Sequence, residues 1–211
     1  MKFTKIPRAT IGRLSLYSRA LENMIQEGIS IISSDGLSEV CEVNPAQIRK
    51  DLAYFGEFGV RGVGYYVKDL LGSIKNILGL NKEWNLGIVG MGNLGCALIA
   101  HENFMRQGYR FVAAFDVSPD RVGKELPIGL KISHIEDLPN VHNRTKIEIG
   151  VIAVPRSEAQ NVANRFIKVS IRAILNFAPV QIHVPRGFAV ENVDFTVKLD
   201  NLAYLLTTHS P

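Results

Sequence analysis

Cysteine appears only twice in the 211 residues, as Cys41 and Cys96. The two lie in different segments, at a spacing that suits neither a metal centre nor a disulfide framework. Both are expected to be small buried residues in a reducing cytoplasm. No apolar stretch approaches the ~20 residues that span a bilayer, so no membrane partner is expected. The opening MKFTKIPRATIGRL is basic but has no apolar core, which argues against a secretory signal. Charge of one sign is not in large excess: 24 Lys and Arg face 20 Asp and Glu. The surplus is shared equally by the two sides of residue 80, so bulk charge does not argue for a nucleic-acid partner. Its local placement is uneven, because Lys2, Lys5, Arg8, Arg13 and Arg19 all precede the first acid, Glu22. Such a run is a solvated face unless a DNA-reading element lies beside it.

Residues 1–80 supply that element. Thr10 is expected to cap a helix reaching about Glu27, with Ile11, Leu14, Leu21, Met24 and Ile25 as its apolar face. A short helix follows over Asp35–Glu42, with Leu37, Val40 and Cys41 inward. Asn44-Pro45 is a strong start signal, with Asn as the cap and Pro at the first helical position. The third helix, to about Phe55, buries Ile48 and Leu52 and turns Gln47, Arg49 and Lys50 outward near its N-terminus. Helix, short turn and helix is the outline of a helix-turn-helix. Gln pairs with adenine and Arg or Lys with guanine in the major groove. A small helical bundle with a polar face fits the same pattern, and the next segment favours the first reading. Gly56-Glu57-Phe58-Gly59-Val60-Arg61-Gly62-Val63-Gly64-Tyr65-Tyr66 has the glycine spacing of a tight hairpin. It is expected to form a wing with Arg61 near the tip, suited to a minor groove. An amphipathic helix over Asp69–Leu78 closes the domain.

From residue 81 the pattern changes. A strand over Trp84–Val89 runs directly into Gly90-Met91-Gly92-Asn93-Leu94-Gly95, and a helix is expected from Leu94 to about Gln107. Strand, G-x-G-x-x-G and helix together make a dinucleotide fingerprint. Gly90 serves the tight turn, Gly92 the approach of a pyrophosphate, and Gly95 close helix–strand packing. Phe111–Phe115 is the next strand. Asp116, twenty-one residues after Gly95, is placed to accept a ribose diol and to favour NAD(H) over its 2′-phosphate form. Strands over 147–153 and 173–176, with a helix over 157–168 between them, indicate a doubly wound parallel sheet. Val154-Pro155-Arg156 and Asn176-Phe177-Ala178-Pro179 fall at the ends of these strands, where such sheets bind ligands. An apolar wall of Phe177, Ala178 and Pro179 would suit the neutral reduced nicotinamide better than the cationic oxidised ring; structural turns are the alternative. Leu199, Leu202, Ala203, Leu205 and Leu206 place apolar residues on most sides of a terminal helix. That helix is expected to bury more than one face, against a partner subunit or a groove of its own chain.

Several of these segments resemble the signature of the bacterial redox-sensing repressor family Rex. They are the stretch from Arg49-Lys50-Asp51-Leu52 through Gly56-Glu57-Phe58-Gly59, Arg61-Gly62-Val63-Gly64-Tyr65, and the glycine run at residue 90. Val154-Pro155-Arg156, Asn176-Phe177-Ala178-Pro179-Val180 and Glu191-Asn192-Val193-Asp194-Phe195 agree as well. The resemblance covers almost the whole chain. It implies a winged helix-turn-helix domain over residues 1–80, a Rossmann domain over 81–196, and a C-terminal helix over 197–211 swapped into a partner subunit. It further implies a homodimer on palindromic operator DNA, released when NADH outcompetes NAD⁺. By position, Arg49 and Lys50 would read bases and Arg61 the minor groove; Lys5 and Arg13, from the basic N-terminal run, are expected to join the DNA-binding residues. Arg19 and Asp194 would belong to a switch, and Phe195 would pack near the nicotinamide. His101 stands where family members can carry a switch tyrosine. It is either a pH-responsive contact, since imidazole titrates near neutrality, or a surface residue of its helix.

An enzyme using the same nucleotide needs a proton donor and a substrate anchor. The five histidines, His101, His134, His142, His183 and His209, form no recognisable catalytic motif. The chain also has no length left for a substrate domain. A repressor that senses NAD⁺/NADH is therefore the expectation, with no catalytic residue and no metal site. A small NAD-dependent oxidoreductase with a helical oligomerisation module is the alternative.

Overall fold

The computed structural model describes residues 6–208. The chain divides between Lys82 and Glu83 into two compact units.

The first unit runs α1 (Arg8–Gln26), β1 (Ile31–Ile32), α2 (Ser34–Cys41), α3 (Pro45–Ala53), β2 (Tyr65–Tyr66) and α4 (Val67–Leu78). In α1, Leu14, Tyr17, Leu21 and Met24 recur at helical spacing and form its buried stripe. They pack with Leu37 of α2, Ile48 and Leu52 of α3, and Leu70 and Ile74 of α4. A fully buried side chain of this size contributes about 1.5–3 kcal/mol relative to exposure. Pro7, not Thr10, precedes the first turn of α1, and its carbonyl accepts the N–H of Thr10. Thr10 is buried one turn inside the helix. Val40, expected inward, is 58% exposed, because Leu37 and Cys41 already make the inner stripe of an eight-residue helix.

α2 ends on Glu42 in the left-handed region, and Asn44 then caps α3 by accepting the N–H of Ala46 at 2.8 Å. The hairpin after α3 is reduced to one antiparallel pair, Val60 with Gly64, around a turn whose Gly62 has φ +80°. Its outgoing limb, β2, pairs with β1 instead, Ile32 opposite Tyr65. Gly64 makes that pairing possible: a Cβ there would lie 2.5 Å from the Ile32 carbonyl oxygen.

The second unit runs β3 (Trp84–Val89), α5 (Asn93–Ala100), α6 (Asn103–Arg106), β4 (Tyr109–Asp116), β5 (Ile132–His134), a 3₁₀ turn (Ile135–Asp137), α7 (Leu138–Thr145), β6 (Ile149–Ile152), α8 (Ala159–Lys168), β7 (Ala173–Asn176), β8 (Ala189–Asn192) and α9 (Phe195–Thr208). The six strands are parallel in the order β5-β4-β3-β6-β7-β8. Both faces are covered, as parallel sheets require. Val89, Phe115 and Ile152 pack with Leu138 and Val141 of α7 and Val162 and Phe166 of α8. Leu86, Ile88 and Phe111 pack with Ile99 of α5 on the other side. The chain leaves β3 in one direction and returns to β6 beside it, so the order reverses at the β3–β6 pair. Ligands of this architecture bind at such a reversal.

In the second unit two further features depart from expectation. The helix expected over Leu94–Gln107 stops at Ala100, where His101 turns to extended backbone (ψ 103°). Its Nδ1 accepts the N–H of Asn103, which restarts the chain as the one-turn α6. β5, α7 and β8 were not anticipated. α9 buries none of its side chains within its own chain.

Candidate functional site

Asp51, on the inner face of α3, organises the first unit. Its carboxylate is fully buried. It accepts Nε of Arg13 at 2.6 Å and Nη2 of Arg13 at 2.7 Å. It also accepts the hydroxyls of Tyr17 at 2.9 Å and Thr10 at 3.0 Å, and the amide Nε2 of Gln47 at 2.8 Å. Burial alone would raise this carboxyl. The hydrogen bonds from Arg13, Gln47, Tyr17 and Thr10 outweigh it and hold the group at about 2. Burial and the Asp51 charge together push the Tyr17 phenol up. The bond to Asp51 likewise raises Arg13. Three α1 side chains are thereby tied to the helix that carries the expected base-reading residues. In the sequence Asp51 stands only within the family-like stretch from Arg49, and its one local signal is an Asp a turn after a Gln in a capped helix.

Of the expected DNA-reading residues, Gln47 and Arg13 both lean on Asp51 and are partly buried. Arg49 and Lys50 are exposed, and Arg49 Nη1 donates to the Ser34 hydroxyl at 2.6 Å. Ser33 and Ser34 of the α2 start, Arg49, and the turn Val60–Gly64 line one groove, with Arg61 exposed in it. α3 and the hairpin therefore present Arg49 and Arg61 to a common surface. Lys5 lies outside the described residues.

In the second unit the glycine run leaves β3 at the sheet reversal. Gly90 has φ +99°, and a Cβ would meet the Ala153 carbonyl oxygen at 2.4 Å. A Cβ on Gly95 would meet the Gly90 oxygen at 2.0 Å. These two glycines are required by the protein's own packing. Gly92 differs: nothing lies within 4 Å of its Cβ position, and φ is −73°. Its Cα faces open space at the start of α5, where the Asn93 and Leu94 N–H groups open the helix without a side-chain cap. A helix N-terminus facing free space beside a bare Cα fits a pyrophosphate.

Asp116 ends β4, 5% exposed. Its carboxylate accepts the Met91 N–H at 2.7 Å, the Val117 and Ser118 N–H groups at 2.8 and 2.9 Å, and Arg121 at 3.2 Å. Burial would raise its pKa; these donors, Ser118 and Met91 foremost, bring it below the usual carboxylate range. Asp116 thus fastens the glycine turn to the end of β4. Val154 and Pro155 follow β6; Val154 lies next to Gly90 across the reversal, and Pro155 is exposed. Asn176 ends β7, fully buried. Its amide donates to the carbonyls of Ala178 and Val180 and to Asn192, and its oxygen accepts the Ala178 N–H at 3.0 Å. Asn176 therefore shapes the turn that carries Phe177, Ala178 and Pro179. Phe177 lies 6.4 Å from the ring of Phe195, centre to centre. Among the described residues, no group of His, Cys, Asp and Glu is placed to hold a metal ion.

The expected switch residues belong to three different elements. Arg19 is exposed on α1, and His101 closes α5 with its ring edge-on to Phe104. Asp194 starts α9 by accepting the Thr196 hydroxyl and N–H at 2.6 and 2.9 Å; these bonds lower its pKa. No helix among the described residues is long and apolar enough to cross a membrane.

Residues 5–53 match the family model "Putative DNA-binding protein N-terminus", and residues 81–180 match "CoA binding domain". The chain is 59% identical to the redox-sensing transcriptional repressor Rex of Syntrophobacter fumaroxidans (strain DSM 10017 / MPOB), over 98% of this chain and 99% of the relative. It is 48% identical to the repressor of the same name from Carboxydothermus hydrogenoformans (strain ATCC BAA-161 / DSM 6008 / Z-2901), over 97% and 98%. Among solved structures, RSP in complex with beta-NAD+ and operator DNA superposes with a TM-score of 0.91 at 36% identity, covering 97% of this chain and 94% of that one. RSP in complex with beta-NADH gives a TM-score of 0.87 at 35% identity, covering 97% and 96%. RSP is a Rex-family repressor. On identity over nearly its whole length, together with a capped helix-turn-helix unit and a glycine-edged parallel sheet, this chain belongs to the Rex family of redox-sensing transcriptional repressors.

Proposed function

We infer that the chain is a DNA-binding transcriptional repressor that senses the NADH/NAD⁺ balance, with the nucleotide as a signal and not as a reactant. One observation supports this most strongly. A structure that matches along 97% of this chain, RSP, was solved with NAD⁺ and operator DNA together. The domain reading is a DNA-binding domain over 1–80, a nucleotide domain over 81–196 and a terminal helix over 197–211, working in the cytoplasm.

On the DNA side, Arg49, Lys50 and Gln47 reach base edges from α3, and Arg61 enters the adjacent minor groove. The basic N-terminal run that includes Lys5 and Arg13 adds attraction for phosphates. On the nucleotide side, Gly92 and the N–H groups of Asn93 and Leu94 hold the pyrophosphate, with Gly90, Met91 and Gly95 shaping the turn. Asp116 serves the adenosine ribose end through the loop it fixes. Val154, Pro155, Asn176, Phe177, Ala178, Pro179 and Phe195 surround the nicotinamide.

Two such chains form a homodimer, and α9 is exchanged between them. Its apolar side chains, uncovered in their own chain, support that reading. Leu199 is 62% and Leu206 75% exposed, a pattern unsuited to a helix left in water. On palindromic operators the two recognition helices then sit about one DNA turn, ~34 Å, apart. NADH releases DNA only if the re-spaced dimer binds it more tightly than the DNA-competent one. Arg19, Asp194 and His101 belong to the contacts that differ between those states.

The test is a gel-shift on a palindromic operator titrated with each nucleotide. Release by NADH with retention by NAD⁺ is expected. Indifference to NADH, or hydride transfer to a small substrate, would refute the reading.

A further inference from the structure

We propose that Asn192 couples the turn after β7 to α9, acting through Asn176, a buried amide with fewer hydrogens than oxygens competing for them. This rests on the reading of that turn as the nicotinamide site and of α9 as the exchanged helix.

Asn176 ends β7 with its side chain fully buried. Chemistry settles which way its amide lies. The oxygen accepts the Ala178 N–H at 3.0 Å, so the nitrogen faces the carbonyls of Ala178 at 3.1 Å and Val180 at 2.8 Å. The side-chain oxygen of Asn192 stands 2.9 Å from the same nitrogen. A primary amide carries two hydrogens, and here three oxygens share them. Two of the three belong to the turn that carries Phe177, Ala178 and Pro179, and the third belongs to β8. Asn192 is therefore surplus to the turn. With its oxygen removed, both hydrogens still find carbonyls and no buried donor is left unsatisfied. Asn192 is itself exposed, so truncating it opens no cavity.

What Asn192 adds is a tie to the next element. It lies opposite Asn176 in the β7–β8 register and ends β8, with only Val193 and Asp194 between it and α9. The Val193 N–H donates to the Asn176 carbonyl at 2.8 Å, and the Phe195 ring lies 6.4 Å from that of Phe177. Among these ties, the Asn192 bond is the one that competes with the turn. Hydrogens held by the Ala178 and Val180 carbonyls are withdrawn from it; hydrogens those carbonyls give up pass to it. A ligand that shifts the turn changes this share, and with it the hold on the residues that lead into α9. One amide with two ways of placing its hydrogens is the two-state element that coupling between sites requires.

The test is a binding cycle on the full-length protein. NADH affinity is measured with and without saturating operator DNA, and the ratio is the coupling factor. Asn192→Ala should bind operator without nucleotide, and NADH without DNA, within about twofold of wild type. Its coupling factor should fall about two- to tenfold, the size of one neutral hydrogen bond. Asn192→Asp keeps an acceptor oxygen facing Asn176 and should match or exceed the wild-type factor. An Asn192 that merely supports the fold would lower the melting temperature or weaken NADH binding at an unchanged factor, and that pattern overturns the proposal. So does an Asn192→Ala variant indistinguishable from wild type. Loss of coupling in Asn192→Asp overturns the acceptor role. If the wild type itself shows no coupling, the sensor reading falls first, and this assignment with it.

Discussion

Replacing Asp51 with asparagine keeps the side-chain shape and removes the charge on which the first unit converges. The carboxyl is held at about 2 against an ordinary 3.8. At about 1.4 kcal/mol per pH unit, that lowering means the folded unit favours the ionised form by about 2 kcal/mol. Asparagine forfeits this, and its NH₂ also turns one hydrogen-bond acceptor into a donor facing donors, which adds about 1 kcal/mol. Arg13 keeps some solvent access, 27% of its side chain, so its unpaired charge rehydrates and the cost stays below the upper range for a broken buried pair. A loss of about 3 kcal/mol is therefore expected in the first unit at pH 7. Native-state hydrogen exchange resolves it by unit: amides of α1 and α3 should exchange about a hundredfold faster, while those of β3 and β6 keep their rates. The acid dependence carries a sign. Because the folded pKa is depressed, the stabilisation is complete above the ordinary 3.8 and disappears as pH falls through about 2. The charge-dependent part of the difference between wild type and Asp51→Asn should accordingly shrink between pH 4 and pH 2. A change under threefold in α1 and α3 at pH 7, or an equal change in the sheet, would refute this account of the network.

Gly92→Ala should leave thermal stability within about 0.5 kcal/mol, since its backbone is ordinary and the Cβ meets nothing. It should nonetheless weaken NADH binding at least about fivefold in calorimetry, by crowding the pyrophosphate; unchanged affinity would remove Gly92 from the site. Gly95→Ala should instead cost about 1–3 kcal/mol of stability, because its Cβ would strike the Gly90 carbonyl. Unaltered melting of that variant would show that the loop relaxes freely. Leu202→Asp, on α9, should raise the dimer dissociation constant in sedimentation equilibrium by about a hundredfold. Two symmetry-related leucines would each lose at least about 1.5 kcal/mol of burial. A dimer as tight as wild type would mean that this face of α9 is not at the interface.

What was legible in the sequence was whatever local chemistry decides. Asn44-Pro45 placed the start of α3 because a cap and a pre-set φ act within one turn. The strand before Gly90 and the strand ending at Asn176 were visible as short apolar runs bounded by turn residues. What was not legible depends on groups distant in sequence. Asp51 gathers Thr10 and Arg13 from some forty residues away, and nothing near it announces that. The strand Ala189–Asn192 has little apolar character and exists because β7 offers a free edge. The break at His101 was hidden because the helical pattern runs straight through it; a histidine ring nitrogen serving as the cap of the next turn is a weak signal. α9 reads equally as an internal or an exchanged helix, since a periodic pattern shows that a face needs cover but not which chain supplies it.

The bond from the Met91 N–H to Asp116 bears on what kind of quantity the sensor reports. It fixes the glycine turn to the end of β4 within the chain itself, so that on the proposed site the adenosine and pyrophosphate end would meet a preformed surface. NAD⁺ and NADH are identical at that end. A preformed loop therefore adds the same free energy to both, and a contribution shared by two competing ligands does not alter their ratio of occupancy. On the proposed site, the glycine edge would set the total nucleotide concentration at which the repressor fills. Which redox form fills it would then fall to the turns after β6 and β7. Range and ratio are thus adjustable separately: changes around Asp116 should make the sensor saturate earlier or later, without changing the redox poise at which it lets go of DNA.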